Sequence, residues 1–174
     1  MLRFPFKGSV SVPQAAAPAP ATPLSPFGEL WFVVVATPVA GTAQVRYTLP
    51  RGFMYQPMVM SFDISTDANV KNRIPEVAGL YVGLSLFWVS LLDRVVTANH
   101  GNTIPTTITF SRRVGTTTGT SAPLADLDTH AIHGSLPDVW MRGDDEIIWT
   151  LDNAQAGDQM SQIRAVLERW PFIQ

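Results

Sequence analysis

The sequence predicts an all-β protein, an antiparallel sandwich, jelly roll or closed barrel, preceded by an extended Pro/Ala-rich N-terminal arm. Three observations lead there. The 174 residues include 14 Pro and 12 Gly, and such punctuation suits short strands joined by turns better than long helices. Beyond residue 28, about eight apolar runs of strand length follow one another, several alternating with period two. Residues 1–28 differ in composition, with Ala15-Ala16-Ala17-Pro18-Ala19-Pro20-Ala21-Thr22-Pro23 at their centre and Pro26 beyond. A chain of this length builds one core of ordinary size, so residues 1–28 are assigned to an arm and 29–174 to a single sandwich.

The arm comes first. Repeated proline fixes φ and removes N–H donors, which favours an extended tether with no core of its own. Such a segment either docks on a neighbour, with Pro18, Pro20 and Pro23 as contact residues, or remains a loose terminus. The first residues, Met1 to Lys7, lack the continuous apolar stretch of a secretory signal, and Pro5 interrupts them.

Leu30 to Val35 is β-branched and aromatic, the pattern of a strand buried on both faces. After a turn at Thr37 to Gly41, Ala43, Val45, Tyr47 and Leu49 alternate with Gln44, Arg46 and Thr48, as in a strand with one wet face. Pro50-Arg51-Gly52 ends it. Phe53 to Ile64 reads as a strand in which Pro57 requires an edge position, a bulge or a break. Ser65 to Asn69 is a polar connection.

Leu80 to Leu92 is the longest apolar stretch, 13 residues, and reads as a core strand or strand pair. It is too short to cross a bilayer as a helix, which needs roughly 20 residues. Val95-Val96-Thr97 and Thr106 to Ser111 follow as strands, with His100-Gly101-Asn102 as a turn between them, and Gly115 to Ser121 as an exposed polar loop. Glu146 to Leu151 alternates cleanly. Met160 to Trp170 fits a helix face or a strand equally well on pattern alone.

Composition bounds the function. Charged residues make up 15% of the chain against about a quarter in an ordinary soluble domain, so much of the surface is neutral or covered by a partner. A net charge of −2 offers no electrostatic reason to bind nucleic acid. The absence of Cys removes disulfides, thiolate metal sites and thiol nucleophiles together.

No constellation of nucleophile, base and orienting group is visible, so no enzyme, no catalytic residues and no cofactor are expected. His130 and His133 stand near Asp126 and Asp128, but this Pro- and Gly-flanked stretch reads as a polar loop with solvated imidazoles, not a metal site. Gly143-Asp144-Asp145-Glu146 lacks the spacing of a calcium loop and reads as a turn, and the Arg142-Gly143-Asp144 triplet has the same explanation. Of the 5 Trp, Trp31, Trp88 and Trp149 sit inside apolar runs and belong to the core. Trp140 and Trp170 are the candidates for an interface, or for stacking on a sugar ring as in a carbohydrate-binding module.

Two stretches carry a family resemblance. Gly41-Thr42-Ala43-Gln44-Val45-Arg46-Tyr47-Thr48-Leu49-Pro50-Arg51-Gly52-Phe53 runs a strand into a Pro-bounded turn. Leu136-Pro137-Asp138-Val139-Trp140-Met141-Arg142-Gly143-Asp144-Asp145, then Ile147 to Asn153, leads from a polar turn towards a closing strand, Ile163 to Trp170, that finishes in an aromatic. Over roughly residues 30–170 this arrangement resembles small structural proteins of tailed-phage virions. The resemblance implies a jelly-roll-like sandwich in the virion, as a capsid decoration or cement protein or as a neck or tail component, and it favours a strand for the last segment. It further implies contacts with the major capsid protein or neighbouring copies, and a homo-oligomer such as a trimer. It supplies no catalytic residues.

Overall fold

A computed structural model of the chain describes residues 28–67, 69, 71–82, 85–91, 96–97, 105–112 and 132–171. Among these the secondary structure is entirely β, in eleven strands: β1 (Glu29–Val34), β2 (Gln44–Thr48), β3 (Phe53–Ser65), β4 (Asn72–Tyr81), β5 (Ser85–Leu91), β6 (Val96–Thr97), β7 (Pro105–Ser111), β8 (Ile132–Ser135), β9 (Met141–Arg142), β10 (Glu146–Asp152) and β11 (Gln159–Pro171).

The strands form two sheets. One has the order β1-β11-β3-β7-β8, with β9 also pairing β3. The other has the order β2-β10-β4-β5, with β6 added beside β4. Pairing is antiparallel throughout except between β7 and β8, which run parallel, so the expected all-antiparallel arrangement is corrected at that edge.

Side chains from both sheets meet in one apolar cluster. Val33, Tyr55, Met60, Phe62, Ile64, Ile108, Phe110, Ile163, Ala165 and Leu167 come from the first sheet, and Val45, Val77, Trp88, Ile147, Trp149 and Leu151 from the second. Period-two alternation puts one face of each strand inward, and on β10 this is seen directly in Ile147, Trp149 and Leu151, all without solvent exposure. Alternation also decides the ambiguous last segment. Ile163, Ala165 and Leu167 are buried while Arg164 is exposed, and the run pairs with β1 on one side and β3 on the other, so it is a strand.

Pro57 resolves to the bulge. It lies in the long central strand β3, where the register against β11 shifts between Val166 and Leu167. On the opposite side of β3, β9 pairs residues 54–55 and β7 pairs residues 59–65, leaving Pro57 between the two. A residue without an N–H is tolerated in an interior strand at such a gap.

Three expectations are corrected. The Leu80 to Leu92 stretch, expected as a core strand or strand pair, covers the end of β4 and the whole of its neighbour β5, but β4 begins earlier, at Asn72. Its inward positions are Arg73, Pro75, Val77 and Gly79, a set in which only Val77 reads as a strand residue. The segment around His133, expected as loop, contributes β8, in which His133 stands opposite Thr109. Finally β1, expected to be buried on both faces, is an edge strand with one exposed face. His130, the turn at His100 and the polar loop Gly115 to Ser121 lie outside the described residues.

A buried ionic clip closes one end of the sandwich. The Arg73 guanidinium donates from Nε and Nη2 to the Asp158 carboxylate at 2.9 Å each, and from Nη2 to Asp67 at 2.8 Å. Its Nη1 donates to the carbonyls of Asn69 and Lys71 at 2.7 and 2.9 Å. Asp158 also accepts the backbone N–H groups of Asp67 and Gln155, both at 2.8 Å. Every donor of a buried cation is thereby satisfied, the condition under which burial of charge is tolerated. The clip ties the turn after β3 to the turn before β11, which belong to different connections of the chain.

Candidate interaction surface

The outward face of the first sheet carries the features that set it apart from an ordinary solvated surface. On β1, Leu30, Phe32 and Val34 are 55%, 65% and 64% exposed, while Trp31 and Val33 turn inward. The register extends this row across the sheet: Phe32 stands beside Val166 of β11, and Val166 beside Val59 of β3. Charged residues bracket the row, since Leu30 lies beside Glu168 and Val34 beside Arg164. The β7 side of the same face is polar, with Thr107, Thr109 and Ser111 opposite Asp63, Ser61 and Val59.

The inward side of β1 explains why the strand is held firmly. Arg169 sits with its guanidinium 3.9 Å from the Trp31 ring centre and 4.4 Å from that of Phe53. It donates to Glu29 from both Nε and Nη2, at 3.0 and 2.8 Å. Stacking plus a charged hydrogen bond on a largely buried guanidinium fixes the start of β1 against β11 and β3.

Trp140 and Trp170, distant in sequence, are brought together. Trp170 is on the outward side of β11 beside Met54, and Trp140 precedes β9, which pairs with Met54 from the other side. Their ring centres are 4.8 Å apart with planes tilted by 54°, and Trp140 is 45% exposed. The segment carrying Trp140 is anchored by Leu136, whose N–H bonds to the Ser111 carbonyl at 2.9 Å. Asp138 adds to this, accepting Gln56 Nε2 at 2.5 Å with Arg112 at 3.5 Å.

Gly28 leads into β1 on this face. A Cβ on Gly28 would come within 2.5 Å of Glu168 Oε1 and 2.8 Å of Trp170 Cε2, so the chain enters β1 pressed against the Glu168 and Trp170 side chains. The arm residues Pro18, Pro20 and Pro23 lie outside the described residues.

The sequence alone did not single out Leu30, Phe32 and Val34. A run without polar residues reads as doubly buried, and only the packing of the two sheets shows that one face of β1 is uncovered. Their exposure has a measurable weight. A fully buried aliphatic or aromatic side chain contributes about 1.5–3 kcal/mol, so covering the exposed part of each would contribute about 1 kcal/mol. Contiguous apolar rows framed by polar residues are the usual mark of contact surfaces.

Elsewhere the acidic groups serve the fold. Asp145 accepts the N–H groups of Val82 and Arg142 at 2.9 and 2.7 Å, and Asp144, in the left-handed region at φ 73°, pairs with Arg51 at 2.6 Å. The Gly143 turn is thus an ordinary tight connection. Among the described residues no group of three His, Cys, Asp or Glu is placed to hold a metal ion.

No protein-family model matches the chain, and no curated protein and no solved structure matches it either.

Proposed function

We propose that the protein is a non-enzymatic structural component of a phage virion, a decoration or cement protein that stabilises the capsid through protein–protein contacts. In this reading the sandwich is jelly-roll-like and binds the major capsid protein or neighbouring copies as a homo-oligomer. The supporting observation is the outward apolar row Leu30-Phe32-Val34 on β1, at the root of the Pro/Ala-rich arm. An extended arm leaving from an apolar face gains contact area without a core of its own, at the cost of ordering entropy on docking. A position in the neck or tail uses the same surface, and the copy number per particle separates the two locations.

Deleting residues 1–26 tests the arm. The sandwich is expected to keep its circular dichroism and melting profile while its incorporation into particles falls. Incorporation at the undiminished level would count decisively against a docking role.

A second reading, a carbohydrate-binding module for host-surface glycans, draws on the half-exposed Trp140 beside Trp170. The two rings lean on each other at 54°, and an exposed indole is the kind of group that stacks on a pyranose ring. Binding on a glycan array that disappears in Trp140→Ala would favour this reading over assembly.

A further inference from the structure

We infer that the edge of β1 left open among the described residues pairs with β1 of a second copy about a two-fold axis, joining the two first sheets into one continuous sheet. This inference concerns the isolated protein and does not rest on the virion reading.

The backbone supplies the first argument. Val35 N–H donates to the Ile163 carbonyl at 2.9 Å, and β1 runs in unbroken register with β11, Val33 opposite Ala165 and Trp31 opposite Leu167. Antiparallel ladders alternate between hydrogen-bonded and non-hydrogen-bonded pairs. The hydrogen-bonded pairs on this side are therefore those of Glu29, Trp31 and Val33, and the N–H and C=O groups of Leu30, Phe32 and Val34 point away from β11. Among the described residues none of these groups has a partner on the open side. The residues that direct their backbone to the free edge are the same three whose side chains form the exposed apolar row.

Self-complementarity supplies the second. Those three residues are evenly spaced about Phe32. An antiparallel copy centred there places Phe32 opposite Phe32 of the partner subunit and Leu30 opposite Val34 of the partner subunit. All three pairs are of the hydrogen-bonded kind, giving about six backbone hydrogen bonds. Opposed residues share a face, so the two rows merge into a strip of double width on the outward side. No charge falls in the seam, because the one charged residue of β1, Glu29, turns inward and is held by Arg169.

β1 also lacks the usual protection of an edge strand. Edge strands are ordinarily guarded against pairing by lysine, proline, a bulge or extreme shortness. β1 has six residues, no lysine, no proline and no register shift. The edge of the other sheet at β2 is different, with Gln44, Arg46 and Thr48 on its outward side.

The test is the mass of the full-length chain in solution by light scattering across a concentration series. Twice the monomer mass is expected for the wild type. Phe32→Lys sets two ammonium groups opposite each other at a Cα separation of about 5.5 Å, and the monomer mass is expected with the circular dichroism spectrum of the wild type retained and a melting temperature no longer dependent on protein concentration. The chain has no Cys, so Phe32→Cys reports on the seam by itself, that separation lying within the roughly 4.4–6.8 Å that a disulfide spans. Under mild oxidation it is expected to cross-link, while Thr107→Cys on the polar side of the same face is not. A monomeric wild type, an odd-numbered assembly, a Phe32→Lys protein that keeps the dimer mass, or a Phe32→Cys protein that cross-links no better than Thr107→Cys would each overturn the inference.

Discussion

Replacing Asp158 by alanine removes the anion at the centre of the buried clip and leaves Arg73 charged where solvent does not reach it, since the Arg73 side chain is fully buried and that of Asp158 1% exposed. Breaking a buried ion pair from one side costs about 3–5 kcal/mol, because the remaining charge is uncompensated. Arg73 keeps Asp67 and two carbonyls, which places its loss near the lower end. The backbone N–H groups of Asp67 and Gln155 also lose their acceptor, adding up to about 1 kcal/mol each. The sum is about 4–5 kcal/mol, or a melting temperature lowered by about 8–20 °C for a chain of this size. Differential scanning calorimetry with urea denaturation measures it. Arg51→Ala is the internal control: it breaks the Arg51–Asp144 pair, whose side chains are 83% and 37% exposed, and exposed pairs contribute about 0–1 kcal/mol. If Asp158→Ala melts no lower than Arg51→Ala, the idea that the clip holds the two turns together is wrong.

Three further outcomes are expected. Burial, reinforced by the Asp152 carboxylate, pushes the Glu76 carboxyl up, so ionised Glu76 costs stability above its folded-state pKa and costs nothing below the unfolded value of roughly 4.3. Glu76→Gln should therefore melt higher than wild type at neutral pH, with the advantage vanishing near pH 4, and a lower melting temperature at pH 7 would contradict this. Asp67 behaves oppositely: burial works against its charge, but hydrogen bonds from the Asn69 side chain and backbone and from the Gly157 backbone, together with the Arg73 charge, hold its carboxyl below the usual range. Its contribution is present above the unfolded pKa and lost as pH falls through the folded one, so the gap between wild type and Asp67→Asn should be widest at neutral pH and shrink on acidification. Gly79→Ala would drive a Cβ into the Trp88 indole and the Phe87 ring, an overpacking expected to cost about 1–3 kcal/mol in urea unfolding; an unchanged midpoint would show that these rings are free to move aside.

The sequence by itself determined the class of fold and most of its strands. Alternation at Val45 and Tyr47, at Ile108 and Phe110, and at Ile147, Trp149 and Leu151 records which side of each strand meets the core, since side chains of a strand point alternately to its two faces. It also separated Trp149 and Trp88, which are buried, from Trp140, which is not. Local pattern failed where the inward face of a strand is not apolar. In β4 those positions include Arg73, Pro75 and Gly79, whose places are justified only by Asp158, which comes 85 residues after Arg73, and by Trp88 across the ladder.

Only the tertiary structure decided the surface. Whether Leu30, Phe32 and Val34 are covered depends on what packs on the outward face of the first sheet, and that layering is a property of long-range packing that no local stretch encodes. The meeting of Trp140 and Trp170 beside Gly28 is of the same kind, created by β9 and β11 lying on opposite sides of β3. Hydrophobic periodicity reports what a segment prefers to do with its own two faces, whereas an interaction surface arises from what its neighbours leave uncovered.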